Sequence, residues 1–271
     1  MISKRGLFAA LIVALWLGGL AFMVERNANR SDAQKLAEVA LRLQPATFYY
    51  TIERGGERIG AASSALDTAT NALQSEEYFV GDFPAIEADG RDHTTARWQT
   101  RLTRGLHLID MIAAVSRATN PLSLNATIQD DTTILISGKK GTQSPRIGYT
   151  FVAPLFTPTL ASIVFMLGGE PKVGRSQSVS VIDPITRSVI RPTLRIAAES
   201  LFTVVDSATL ERNGEWSVAH RDTVRAWRLG GVPYGIVAWV DADGRVVAAQ
   251  AGDLSATRTA FELAFRNPKT K

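Results

Sequence analysis

The chain of 271 residues has no cysteine, only three histidines and almost no excess of one charge. The missing cysteine excludes disulfide scaffolds, thiolate zinc sites, iron–sulfur clusters, cysteine nucleophiles and the lipid-modified cysteine of a lipoprotein. Without Lys4 and Arg5, which precede an apolar run, the chain has 28 basic residues against 26 acidic ones. A balance this even is not the electrostatic footprint of a nucleic-acid-binding protein, so no nucleic-acid partner is expected.

One long apolar run is present near the N-terminus. It extends from Leu7 to Val24 without a charged residue and follows Lys4 and Arg5. At 1.5 Å per residue the run spans roughly 27 Å, close to the hydrocarbon thickness of a bilayer. It predicts a single-pass anchor in a bacterial inner membrane, with the lipid bilayer as partner and the C-terminal part in the periplasm. The alternative is a signal peptide cleaved at Ala21, which would release the protein into the periplasm.

The pattern divides the chain into three segments. Residues 1–24 form the signal-anchor or signal peptide, residues 25–44 a helical stalk, and residues 45–271 a periplasmic antiparallel β domain. The stalk prediction rests on Ser31 as helix N-cap and on apolar residues at helical spacing before Pro45. The apolar face of this helix could instead pack on the domain behind it.

The residue pattern after Pro45 predicts strands. They recur about every ten residues, as in antiparallel meanders, sandwiches or barrels. Turn residues at 55–56, 213–214 and 241–244 favour hairpins. Two helices are predicted, an apolar one within 154–169 and a final one over 255–265. The expected fold is therefore mainly β: a curved antiparallel sheet or incomplete barrel over one or two helices, preceded by the transmembrane helix.

Residue patterns for catalysis are scarce. The chain has no serine elbow and no metal-binding spacing among its histidines, which are His93, His107 and His220. The Asp241–Gly244 turn lacks the further ligands of a calcium loop. Glu76 and Glu77 are adjacent, and neighbours point to opposite faces in a strand or are solvated in a turn, so we expect no acid/base pair. We expect no metal, no cofactor, no catalytic residue and no enzymatic activity. A hydrolase remains an alternative if two histidines and a carboxylate meet in one cleft.

Several turn and strand motifs resemble those of a known group of proteins. They are the apolar segment at 154–155, the glycines at 168 and 174, VIDP at 181–184, TVRAWRL at 223–229, VAWVDADGRVV at 237–247 and the hairpin YTIERGGERIG at 50–60. These motifs are similar to the β-rich, non-catalytic region that precedes transglutaminase-like domains in bacterial envelope proteins. They also resemble uncharacterised periplasmic proteins whose fold is similar to that of lipoprotein carriers. The resemblance implies an incomplete antiparallel barrel with a hydrophobic cavity, and it brings no catalytic residues.

The export segment, the many aromatics and this resemblance together predict a non-catalytic domain that binds or hands on a lipid-like ligand in an apolar concavity. The expected cavity-lining residues are Phe48, Tyr50, Trp98, Phe151, Phe156, Phe165, Trp227 and Trp239. The alternative is an envelope scaffold or protein–protein interaction module without a small ligand. Such a module would use a sheet edge or an arginine-rich face, since 23 arginines stand against 7 lysines. The pattern itself favours arginines on a solvated sheet face or at a protected edge over such a binding surface.

Overall fold

The computed structural model describes residues 32–68, 72–84, 91–117, 121–140, 146–183, 186–232 and 235–266. The predicted anchor at residues 7–24 and the cleavage position at Ala21 lie outside these ranges. No helix within them is long and apolar enough to cross a bilayer.

The described elements are mostly strands. The first half of the chain contains α1 (Asp32–Arg42), β1 (Ala46–Arg54), β2 (Glu57–Thr68), β3 (Leu73–Pro84), β4 (Arg91–Leu102), β5 (Leu108–Ser116), β6 (Leu122–Asp130), β7 (Thr133–Lys140) and β8 (Arg146–Thr150). The second half contains β9 (Leu155–Phe156), α2 (Pro158–Leu167), β10 (Ser176–Ser178), β11 (Ser180–Asp183), β12 (Ser188–Ile190), β13 (Thr193–Leu210), β14 (Trp216–Gly230), β15 (Val237–Val240), β16 (Val246–Ala251), β17 (Leu254–Thr259) and α3 (Phe261–Phe265).

Fourteen strands form one sheet in the order β10-β13-β14-β15-β16-β17-β1-β2-β3-β4-β5-β6-β7-β8. Every pairing in it is antiparallel. A small second sheet joins β12, β11 and β9. Among the described strands the two edges of the large sheet, β10 and β8, do not pair with each other, so the sheet stays open. The prediction of a mainly β, antiparallel fold is confirmed.

The large sheet curves around α2. Every residue of this helix from Leu160 to Met166 is buried, because its sequence is apolar on all sides and needs protein around it. The same core contains Leu66 and Leu102 from β2 and β4 together with Trp227 and Val240 from β14 and β15. Strands that lie far apart in the sheet order therefore contact one helix, which requires a curved sheet with α2 on its inner face.

The turn between β15 and β16 fixes the helix to the sheet. Ser162 Oγ donates a hydrogen bond to the carbonyl of Gly244 at 2.8 Å. Gly244 has a φ of +78°, and a Cβ at this position would lie 2.5 Å from Ile163 Cα. Only glycine combines this backbone conformation with so close an approach of the helix.

Helix α1 packs on the domain through Leu36, Val39 and Leu43, which are buried in the same core as α2. This is the packing alternative that the sequence left open for the apolar face of the helix. The boundaries of the stalk at residues 25–44 stay a prediction.

The final helix predicted over 255–265 is wrong for its first half. Residues 254–259 form β17, which pairs with both β16 and β1, and only Phe261–Phe265 is helical. Leu254 and Arg258 contact the core of the sheet in the alternating pattern of a strand. The short α3 covers the outer face of the sheet, where the Phe265 ring packs 6.0 Å from Tyr49.

Candidate functional site

Adjacent strands β1 to β4 bring aromatic and polar side chains together on the inner face. Phe48 is opposite Ser64, Ser64 is opposite Glu77, and Glu77 is opposite Trp98. Directly opposed residues share one face of a sheet. Phe79 and Phe83 lie two and six residues after Glu77, so they share that face. We call this group the inner-face cluster: Phe48, Ser64, Glu77, Phe79, Phe83 and Trp98.

Glu77 is the polar centre of the inner-face cluster. Ser64 Oγ donates a hydrogen bond to its carboxyl at 3.0 Å, and Thr159 in the first turn of α2 is a second hydrogen-bond partner. Burial raises the pKa of Glu77 to about 8, although these hydrogen bonds and the charge of Arg245 act in the opposite direction. The carboxyl is therefore mostly protonated at neutral pH and can donate a hydrogen bond.

The side chains of the inner-face cluster are largely surrounded by protein but keep part of their surface accessible. Protein surrounds Glu77 closely enough to desolvate its carboxyl, yet the residue keeps part of its surface accessible. Phe48, Phe79, Phe83 and Trp98 are also only partly buried, although they lie on the concave side of the sheet. The aromatic rings pack against buried neighbours and still keep part of their surface accessible on the concave side of the sheet, which we call the concavity.

A buried ion pair borders the cluster. Arg258 donates to Asp241 at 2.8 Å, and the two side chains are only 10% and 16% exposed. Arg258 also donates to the carbonyl of Val246 at 2.7 Å. Its guanidinium lies 4.2 Å from the centre of the Phe48 ring, and that of Arg245 lies 5.1 Å from the same ring. Phe48 is thus held by two cations, with an energy of order 1 kcal/mol for each contact.

Tyr50 completes this border. Its hydroxyl donates to the Val246 carbonyl at 3.2 Å. Burial, the largest influence, raises the pKa of Tyr50 well above its ordinary value, so the phenol is neutral. With Glu77 protonated, Arg245 and Arg258 are balanced by Asp241 and by Asp243, whose charge also acts on Arg245. The site therefore suits a ligand that has an apolar body and a polar head with hydrogen-bond acceptors.

Trp98 carries an unsatisfied donor. Its ring meets Phe79 edge-on with the ring centres 5.2 Å apart. The indole Nε1 is buried and has no hydrogen-bond partner. A buried donor left unpaired costs about 1–3 kcal/mol. An acceptor atom of a ligand that reached Nε1 would remove this cost.

The eight aromatic residues predicted to line a cavity do not form one group. Phe48, Tyr50 and Trp98 lie on the inner face around Glu77. The others pack in three different places. Phe156, Phe165 and Trp227 are buried with α2 in the main core, Phe151 packs in a second core group with Trp98, and Trp239 lies with Phe202 in a separate group under the β13–β14 hairpin.

Sequence reasoning missed Glu77, Phe79, Phe83, Arg245 and Arg258. Glu77 and its neighbour do point to opposite faces, as expected, since Glu76 accepts from Arg97 at 2.8 Å on the outer face. The sequence signal for the site is the even spacing of Glu77, Phe79 and Phe83. This signal has meaning only in a strand, and β3 is not among the predicted strands.

Other candidate sites carry little chemistry. All three histidines are exposed, and His93 Nδ1 lies 2.9 Å from Asp82 without a second histidine. The Asp241 carboxylate accepts from the backbone N–H of Asp243 and Arg245, which is the bonding of a turn. The part of the chain that the structure describes contains no group of three or more metal-ligating side chains.

The arginines that alternate along the strands are largely paired with carboxylates on the outer face. Besides the Arg97–Glu76 pair, Arg101 bonds Asp110 and Arg225 lies 3.4 Å from Glu199. These contacts fit the solvated sheet face better than a uniformly cationic surface.

The comparison with known proteins shows a likeness in fold. No family model matches the sequence, and no curated protein matches it. A crystal structure of a β-barrel-like protein of the domain of unknown function DUF1849 from Brucella abortus is similar, with a TM-score of 0.50 and 12% identity over 80% of this chain and 95% of that one. A DUF1089 family protein from Pseudomonas aeruginosa has a TM-score of 0.36 and 12% identity over 69% of this chain and 87% of that one. The first likeness supports the curved β-rich fold, and the second is too low to define a shared fold. Neither comparison supports a link to transglutaminase-like proteins.

Proposed function

We propose that this protein is a membrane-anchored, non-catalytic periplasmic β domain that binds an amphipathic, lipid-like ligand in the concavity of its sheet. Residues 7–24 would supply the anchor. The ligand's apolar body would contact Phe48, Phe79 and Phe83, and its polar head would accept hydrogen bonds from Glu77 and Trp98.

The observation that carries this proposal is the inner-face cluster. It places a protonated carboxyl and an unsatisfied indole N–H among partly accessible aromatic rings. A protein without a ligand gains nothing from such an arrangement, because each unsatisfied or desolvated polar group lowers its stability. The resemblance to lipoprotein carriers and the likeness to a β-barrel-like protein are compatible with this proposal but concern the fold alone.

The scaffold alternative would use an unpaired sheet edge. The edge strands β8 and β10 have five and three described residues, but β10 pairs only with residues 193–195 of the 18-residue β13. Among the described strands the rest of β13 pairs only with β14, so this hairpin offers a long edge to a partner strand. The hairpin edge favours the scaffold, whereas the inner-face cluster favours the ligand.

The hydrolase alternative has weaker support. Ser64 is bonded to Glu77, but this carboxyl is mostly protonated at neutral pH, so only a small fraction of the molecules has a carboxylate there that could accept the serine proton. All three histidines are exposed and far from the arrangement of a catalytic triad.

Native mass spectrometry of the full chain released from membranes in mild detergent tests the proposal. Two matched variants place the same side chain on opposite faces of β2. Ser64→Leu fills the concavity beside Glu77, whereas Ala65→Leu points outward from the next position. The wild-type chain and Ala65→Leu should carry a bound lipid-like mass, and Ser64→Leu should lose it.

Circular dichroism spectra of both variants should match the wild type, which shows that the loss does not come from unfolding. A wild-type chain without any bound mass would overturn the proposal. A mass retained equally by both variants would place the ligand elsewhere and would also overturn it.

A further inference from the structure

Helix α1 has a second apolar stripe that the core does not use. Leu36, Val39 and Leu43 face the core, whereas Ala37 and Leu41, four residues apart, are exposed on another side. Leu41 is 86% exposed, the highest value among the large apolar side chains of the described residues. An exposed leucine this prominent, next to other apolar residues, indicates a contact surface.

The stripe borders an open groove of about 750 Å³ between α1 and the ends of β2 and β4. We call it the α1 groove. Its lining includes Ala37, Ala40, Leu41, Ala72, Leu73 and Arg104. Arg42, in the last turn of the helix, adds a second exposed guanidinium close to the stripe. The surface thus combines an apolar groove with basic residues at its margin.

The position of α1 in the chain restricts what can cover this groove. The apolar run ends at Val24 and α1 begins at Asp32, so seven residues separate them. Seven residues span at most about 25 Å even when fully extended. A chain anchored through residues 7–24 therefore holds α1 within that distance of the bilayer surface at all times.

We propose that the α1 groove is the surface by which the domain rests on its own membrane, with Leu41 inserted at the boundary between headgroups and acyl chains. This inference rests on the anchoring that the proposed function includes. Leucine and basic side chains are the composition of interfacial helices, in which the apolar stripe enters the boundary layer and the cations lie at lipid phosphates. Arg42, which also donates to the Leu167 carbonyl at 3.4 Å, would take that second position.

Docking through α1 would also fix the direction of the ligand site. Glu77 contacts the first turn of α2, while Phe83 and Leu254 belong to the core group nearest the β1–β2 turn. That turn is at the other end of β1 from α1. A domain seated on α1 therefore turns the end of the inner-face cluster marked by Phe83 away from the bilayer.

The experiment uses the absence of cysteine. A single introduced cysteine is the only thiol in the chain and takes one environment-sensitive nitrobenzoxadiazole label. Full-length Leu41→Cys and Leu201→Cys are reconstituted into vesicles of equal parts phosphatidylethanolamine and phosphatidylglycerol, with or without a nitroxide-bearing lipid. Leu201 on β13 is the matched control, because it is also an exposed leucine, at 65%. Ala37→Cys repeats the measurement on the same stripe as Leu41.

The label at positions 41 and 37 should shift to shorter emission wavelength and lose most of its intensity to the nitroxide lipid. The label at position 201 should keep its aqueous emission. A chain that floats with the vesicles while position 41 stays unquenched would overturn the docking but not the anchor. A shift at position 41 without quenching would show that protein covers the groove, such as a second copy, and would also overturn it. A chain that does not float with the vesicles would contradict the anchor and the docking together.

Discussion

Replacing Glu77 by glutamine should change how the stability of the domain depends on pH. The raised pKa means that the folded state keeps the Glu77 proton up to a pH of about 8, whereas the unfolded chain releases it near 4.5. Between these values the unfolded state binds fewer protons, so the free energy of unfolding falls as the pH rises. The contribution of Glu77 is neutral below pH 4.5 and most destabilising above pH 8.

The magnitude follows from the size of the shift. A change from 4.5 to about 8 corresponds to about 5 kcal/mol at 1.36 kcal/mol per pH unit. Solvent that enters the concavity reduces this value, and we expect about 3 kcal/mol. Glu77→Gln has the same shape and no charge, so it should match the wild type at pH 4 and exceed it by about 3 kcal/mol at pH 9.

Urea unfolding in mild detergent, followed by tryptophan fluorescence at pH 4, 6, 8 and 9, measures this difference. Glu76→Gln is the matched control, because Glu76 is the next residue and faces outward. A hydrogen bond from Arg97 lowers the pKa of Glu76. Glu76 therefore stabilises the folded state above pH 4.5, and this stabilisation is lost at lower pH. This control should be slightly less stable than the wild type at pH 7, by under about 1 kcal/mol. Parallel curves for Glu77→Gln and the wild type would refute the desolvated carboxyl on the inner face.

Three further changes test the packing around the site, each by the free energy of urea unfolding. Gly244→Ala places a Cβ 2.5 Å from Ile163 Cα at a φ of +78° and should lower the free energy of unfolding by about 3 kcal/mol. Its control, Gly252→Ala, has a φ of +62° and open space around it and should cost about 1 kcal/mol. Equal losses for the two variants would contradict the close contact with α2. Asp241→Ala leaves Arg258 buried without its partner and should cost about 3–5 kcal/mol of stability. Its control, Asp253→Ala, removes the exposed pair with Arg54 and should change the stability little. A small effect at position 241 would refute the buried pair. Trp98→Phe removes the unsatisfied Nε1 together with part of a packed ring. The two effects oppose each other, so the ligand-free protein should lose under about 1 kcal/mol. A loss of about 3 kcal/mol or more would mean that this donor has a partner.

The hairpins of the fold were predictable because their turns have strong local signals. The glycines at 55 and 56 have positive φ angles and join β1 to β2 as expected. Strand β3 was not predicted, because its two faces are not separated into apolar and polar residues. Glu77 lies on the inner face, while Tyr78 on the outer face packs against the Phe265 ring. The helical conformation of α3 was predicted, but not its position on the outer face of the sheet. That position depends on the fold of the whole sheet and not on the local sequence.

The candidate site was predictable only in part for a related reason. Alternation along a strand places Phe48 and Tyr50 on one face, and the structure brings both to the border of the inner-face cluster. The alternation of residues along a strand does not indicate how far the sheet curves or which aromatic residues α2 covers. Phe165 is buried by that helix packing, and Trp239 faces the β13–β14 hairpin. The contact of Arg258 with the Phe48 ring depends on the pairing of β17 with β1, two strands that lie far apart in the sequence.

Photo-crosslinking with a diazirine-bearing fatty acid, supplied to cells that produce the full chain, tests the ligand site most directly. After illumination, the modified peptides are mapped by mass spectrometry. The account predicts modification within β1, β3 and β4, at or beside Phe48, Phe79, Phe83 and Trp98, and its loss in Ser64→Leu but not in Ala65→Leu. Modification confined to residues 7–24, with none on the inner face of the sheet, would contradict it.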